Sequence, residues 1–246
     1  FEKGEGLKGH NLGNLILTAL QDMAGSTTSA LEIAERIFQL EGKIYPVTTE
    51  DVQLEVEYED GSTIVGEHLL DDNASGSKKI QEVRLCPPAI LYDEAKKEIL
   101  MADMIVIGPG DYYASIMAAL SVNGMKEALQ KSKAKLVYIV NLMTRFTQTN
   151  GMTASDHIKG IERYIGRSFD WSIVNTGKIP QEIENTYKQE KEFPVINDLS
   201  GNSIIEADLL STFVFQKNGV DIAHRSLLRH DPKKLAKAIM SIFLHL

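Results

Sequence analysis

The sequence has a single cysteine, Cys86, so it can build neither an intrachain disulfide framework nor a thiolate zinc site. That scarcity fits a reducing cytoplasm. No apolar run approaches the roughly 20 residues that cross a bilayer as a helix, and the opening residues, FEKGEGLKG, do not read as a signal peptide. A basic excess is also lacking: the net charge is −8 and the pI is near 5.3, opposite to the field a nucleic-acid-coating surface needs. Internal repeats and low-complexity tracts are absent. These absences lead to the expectation of a cytoplasmic protein with no nucleic-acid partner, no membrane insertion and no metal site.

What is present supports a substantial core. A chain of 246 residues that is 43% hydrophobic suits one large domain with a small insertion. Residue 1 is Phe rather than Met, so the sequence is expected to begin part-way into a longer product. The Gly-rich stretch 4–9 leads into HNLGNLILTALQDMA (10–24), whose apolar residues recur at helical spacing with Asn11 as N-cap. A Gly-rich approach to a helix N-terminus presents N–H groups to an anion, or is simply the leader of a capped helix. A second helix is predicted over 28–40.

From about 43 to 88 the period changes to two. In VQLEVEY, Val52, Leu54, Val56 and Tyr58 alternate with Gln53, Glu55 and Glu57, which predicts a half-buried strand with solvated carboxylates on its other face. EDGS (59–62) predicts a hairpin turn, 71–79 a loop, and 80–86 a third strand. This β-rich segment reads as an insertion into an α/β domain spanning 1–246. The remainder alternates: helix 92–101, strand 104–107, helix 113–130, strand 136–141, helix 155–165 capped by Ser155, strand 171–175, helix 180–189, short strands near 193–196 and 203–206, and a helix from Pro232 to His245.

The stretch Ala102–Gly124 organises this pattern. Four apolar residues run into Gly108-Pro109-Gly110 before a helical pattern begins, which places a tight turn at the carboxyl end of a buried parallel strand, the edge at which open α/β sheets bind ligands. Two further polar loops, 141–151 and 175–177, fall on the same edge. Gly108 and Gly110 permit positive φ and close backbone approach, while Tyr112, Tyr113 and Ser115 offer hydroxyls to a phosphate or sugar. Asp156 and His157 are adjacent in a helix and point about 100° apart, so capping competes with catalysis as their role. Arg145 and Arg229 have the charge and planarity to grip an anion. His230 is either a general base or a packed imidazole.

Four ordered motifs, EGLKGHNLGN (5–14), IGPG followed by Tyr and Ser (107–115), TASDH (153–157) and RHDPKKLAKAI (229–239), resemble the YvcK-like gluconeogenesis factors, relatives of 2-phospho-L-lactate transferase. The resemblance implies a Rossmann-like parallel sheet with helices on both faces and a small antiparallel β insertion. It also implies that the sequence starts after a Gly-rich βα unit. The implied ligand is a UDP-sugar such as UDP-N-acetylglucosamine, or a dinucleotide, with no fixed cofactor. The implied role is regulatory rather than enzymatic, in carbon partitioning to wall precursors and cell shape, through a regulatory protein partner and in a homo-oligomer. The alternative is a transferase of deazaflavin (F420) biosynthesis. The implied binding set is Gly9, His10, Asn11, Asn14, Gly108, Pro109, Gly110, Tyr113, Ser115, Asn141, Thr144, Asn175 and Arg229, with no catalytic residue assigned. Two local departures stand out: the family's SLYTS is DYYAS at 111–115, and its QPGET is RFTQT at 145–149.

Overall fold

The computed structural model describes residues 12–71, 78–212 and 227–243. Its centre is a four-stranded parallel sheet, β4 (Met104–Ile107), β5 (Lys135–Ile139), β6 (Trp171–Asn175) and β7 (Ile204–Ala207), hydrogen-bonded in that order. A three-stranded antiparallel sheet is formed by β1 (Gln53–Tyr58), flanked by β2 (Thr63–Val65) and β3 (Ile80–Cys86). The helices are α1 (Leu12–Ala24), α2 (Thr27–Phe38), the short α3 (His68–Asp71), α4 (Asp93–Met101), α5 (Ala118–Leu120), α6 (Met125–Lys131), α7 (Ala154–Ile165), α8 (Gln181–Gln189) and α9 (Pro232–Phe243). A π-helical turn, Tyr112–Met117, precedes α5. Among the described residues no helix is long and apolar enough to cross a membrane.

The alternation within β5 explains why the parallel sheet is covered on both faces. Leu136 and Tyr138 point into a core shared with β1, β3, α6 and α7, whereas Val137 and Ile139 point the other way and pack with Ile173, Leu209 and, on α9, Ala238 and Ile242. On β1 the expected alternation is present: Leu54, Val56 and Tyr58 are buried. The carboxylates on its other face are not merely solvated, since Arg84 of β3 forms ion pairs with Glu55 and Glu57. The first two helices pack on one another, through Leu20, Ala30 and Ala34.

Four expectations change. The predicted helix over 113–130 is broken: Gly124 takes φ 95° before α6, and the chain between the two helical pieces bonds elsewhere, with Asn123 N–H donating to Ala89 O and Leu91 N–H to Asn123 O, both at 2.9 Å. Tertiary hydrogen bonds there replace helical ones. The cap of α7 is Thr153, not Ser155; Thr153 Oγ1 accepts from Asp156 N–H while Asp156 Oδ2 accepts from Thr153 N–H, a reciprocal capping box. Ser155 instead donates to Asp198. The segment 193–196 is not a strand, because Pro194 lacks a donor and its neighbours bond to the 142–144 loop: Thr144 N–H to Phe193 O at 2.7 Å and Val195 N–H to Leu142 O at 3.1 Å. Positive φ is found at Gly108 but not at Gly110.

Candidate functional site

Because all four parallel strands end at one edge, their following loops converge there. Two cavities open on that edge. The larger, about 510 Å³, is lined by Pro109 to Tyr112, by Asn141 to Arg145 and Thr149, by Tyr187 and Glu192, and by Leu228, Arg229, His230, Pro232 and Leu235. The smaller, about 220 Å³, is lined by Val140 to Leu142, Val174 to Ile179, Gln181, Glu184, Pro194 and Val195. Asn141 and Leu142 line both, so the cavities adjoin across that dipeptide.

The wall after β4 is set by Gly108. Its φ is 85°, and a Cβ at this position would lie 3.1 Å from the Ile139 carbonyl oxygen. The turn therefore needs the glycine both for its left-handed backbone and for its approach to β5. Gly108→Ala is expected to cost about 1–2 kcal/mol and to weaken ligand binding, because the displaced loop carries Gly110, whose carbonyl accepts from Asn141 Nδ2 at 2.8 Å. Thermal melts compared with ligand titrations of the variant check both effects.

Asn141 is oriented by that bond and by Tyr138 OH, which donates to Asn141 Oδ1 at 3.1 Å. Thr144 is 3% exposed, and its hydroxyl accepts from Phe193 N–H, so it fastens the loop to the wall opposite. Asn175 joins the smaller cavity, but its amide is engaged in its own loop: Oδ1 accepts from Gly177 N–H and Leu209 N–H, and Nδ2 donates to Gly177 O.

Tyr112, rather than Tyr113, lines the larger cavity. Its hydroxyl donates to His157 O at 2.9 Å, its ring meets the His157 imidazole edge-on at 4.8 Å, and burial pushes its pKa up. Tyr113 packs beside it against the core, and Ser115 is exposed; neither lines the cavities. His157 is fully buried inside α7, with Nδ1 2.8 Å from Thr153 O, and burial holds its pKa below the usual imidazole range. Asn14 lies on the exposed side of α1. Gly9, His10 and Asn11 fall outside the described residues, as does the stretch just before Leu227.

Arg229, His230 and Asp231 take separate parts. Asp231 Oδ1 accepts from Lys233 N–H and Lys234 N–H at 2.9 Å and so caps α9. His230 is held near Val140, and burial lowers its pKa to about 4, so it is neutral at neutral pH. Its Nε2 is buried with no hydrogen-bond partner, on a ring that lines the larger cavity. Arg229 is exposed at the mouth.

The densest charge in the cavity is a cluster with no local signature in the sequence. Arg145, whose side chain is only 18% exposed, lies with Nε 3.6 Å from Asp111 Oδ1 and Nη1 3.7 Å from Glu192 Oε1. Asp111 and Arg145 are both positions at which the sequence departs from the family pattern, and in space they are partners. Glu192 follows α8 and is buried, as are Tyr187 and Leu228; they were not legible as site residues because they are far from the Gly-rich loops in sequence. Among the described residues no group of three or more His, Cys, Asp or Glu side chains is arranged to hold a metal ion.

A family model described as 2-phospho-L-lactate transferase CofD matches residues 1–213. The chain belongs to this family. Within the CofD family, its curated relatives include a protein of Thermotoga maritima, 38% identical over 244 residues, covering 98% of this chain and 75% of the relative. The Bacillus subtilis protein named gluconeogenesis factor is 34% identical over 245 residues, covering 98% and 74%. A crystal structure of a UPF0052 family member from Bacillus halodurans superposes with a TM-score of 0.84 at 33% identity, covering 98% of this chain and 74% of that one. The CofD-family α/β architecture is thus shared over nearly the whole chain.

Proposed function

We propose that the adjoining cavities bind a nucleotide sugar of the UDP-N-acetylglucosamine kind, and that the protein is a cytoplasmic regulator of carbon flow to wall precursors and of cell shape, acting through a protein partner. The observation that carries this reading is the pairing of two cavities across Asn141–Leu142. The larger has guanidinium groups, Arg145 and Arg229, suited to phosphates. The smaller presents Thr176, Lys178 and Gln181, suited to sugar hydroxyls. Relatives named gluconeogenesis factor support the regulatory part. Calorimetry with UDP-N-acetylglucosamine, UDP and NAD(P) tests it: saturable binding in the micromolar range is expected, with the nucleotide sugar tightest. Absence of heat from all three at millimolar ligand overturns it.

A second reading has one observation in its favour, the match to a model described as a transferase. A neutral imidazole whose buried Nε2 has no hydrogen-bond partner, on a cavity wall that also carries Arg145 and Arg229, would provide, once exposed to substrate, a proton acceptor and a phosphate clamp for moving a 2-phospholactyl group from lactyl-diphosphoguanosine onto a deazaflavin hydroxyl, with GMP leaving. Product formation from lactyl-diphosphoguanosine and the deazaflavin acceptor would establish that activity in place of the regulatory role.

A further inference from the structure

The contacts of Arg145 in the larger cavity are unequal in burial. Glu192 has a side chain only 10% exposed and stays against the guanidinium in a water-poor wall, whereas the Asp111 side chain is 39% exposed on the cavity side. Both separations, 3.6 and 3.7 Å, are well beyond the roughly 2.7–2.9 Å of a charge-assisted hydrogen bond. Asp111 is also the residue preceding the π-helical turn, yet its side chain makes no capping hydrogen bond there. Its carboxylate is turned to Arg145 instead. The Arg145 backbone is fixed meanwhile: its N–H donates to Thr149 Oγ1 at 2.8 Å, and its carbonyl accepts from Gln148 N–H and Thr149 N–H. Among the described residues, the fixed arginine thus has one buried and one wet carboxylate beside it, and the wet one is arranged for exchange.

We propose that Arg145 is the anion-binding residue of this pocket, that Glu192 permanently orients its guanidinium, and that Asp111 is a stand-in counterion displaced by a phosphate group of the ligand. The proposal rests on the reading of this cavity as a phosphate-ester site and adds how that site discriminates. A ligand phosphate accepts two parallel hydrogen bonds from the guanidinium fork, which Asp111 at its present distance does not, and while Asp111 stays in place its charge repels the incoming anion. Asp111 thereby sets a threshold: weak monoanions do not displace it, whereas a phosphate ester does.

Titrations with inorganic pyrophosphate, UDP, UDP-N-acetylglucosamine and uridine, against wild type and the variants Asp111→Asn, Asp111→Ser, Arg145→Gln and Arg145→Lys, test the proposal, with melting curves confirming that each variant is folded. Pyrophosphate and UDP are expected to bind about fivefold tighter to both Asp111 variants. They should bind at least about tenfold more weakly to Arg145→Gln, with Arg145→Lys between because a point charge lacks the fork. Uridine should not distinguish any of them. Pyrophosphate affinity within twofold of wild type for Arg145→Gln, or weaker binding to the Asp111 variants, overturns the proposal. If pyrophosphate follows the expected order while UDP-N-acetylglucosamine binds none of the proteins, the nucleotide-sugar reading falls and this assignment stands.

Discussion

Gly160→Ala is expected to destabilise the protein by about 1–3 kcal/mol, although the same change in an exposed helix would stabilise it by about 1 kcal/mol. Gly160 sits in α7, and a Cβ there would overlap the Tyr112 hydroxyl that donates to His157 O on the same helix. The phenolic oxygen occupies the space a methyl group would need. Tyr112→Phe in the wild-type background loses that hydrogen bond and should cost about 1 kcal/mol. In the Gly160→Ala background it should restore stability, because the overlapping atom is gone and the ring carbon behind it is at an ordinary contact distance of 3.4 Å. Chemical denaturation of the four proteins gives the coupling directly. Additive effects would show that the helix does not hold Tyr112 in the cavity wall by this contact.

The second large effect is on pH. His230 is neutral in the folded protein down to about pH 4, whereas a free imidazole takes up its proton near 6.5. Between those values the unfolded chain binds more protons than the folded one, so stability falls as pH falls through that window and is fully present above it. The upper bound of this contribution is about 3 kcal/mol. His157, lowered by burial as well, acts with the same sign. The carboxylates held below their usual range, Asp198 by Ser155 and Asp208 by Lys234, titrate at lower pH and so add their losses only below the histidine window. Denaturation midpoints from pH 7.5 to 4 should decline in wild type and decline less steeply in His230→Gln. Parallel slopes would mean that His230 takes up its proton at the same pH in the folded and the unfolded protein, which would overturn the lowered value.

Much of the fold was legible from local pattern. The alternation in 53–58 and the apolar runs at 104–107 and 171–175 each became the strand expected, since burial on one face or both leaves a direct imprint on residue type. The errors fell where hydrogen bonds to distant chain decide. Asn123 leaves a helical sequence pattern to pair with 89–91, and 193–196 is recruited by the 142–144 loop. Within the site, Pro109, Gly110, Asn141, Thr144 and Arg229 line the larger cavity and Asn175 the smaller, Gly108 sets the turn behind that wall without lining it, and Tyr113 and Ser115 line neither because the π-helical turn aims Tyr112 inward instead. Neither the partnership of Asp111 with Arg145 nor the arrival of Glu192 beside them has any local signature.

The sequence by itself determined the class of fold, the edge at which the loops gather and the family, because periodicity, glycine-bearing turns and ordered motifs are properties of neighbouring residues. The tertiary structure alone decided which side chains meet there, that His230 is neutral, and that the cavity carries an arginine between two carboxylates. Those features depend on burial and on distances between residues far apart in the chain.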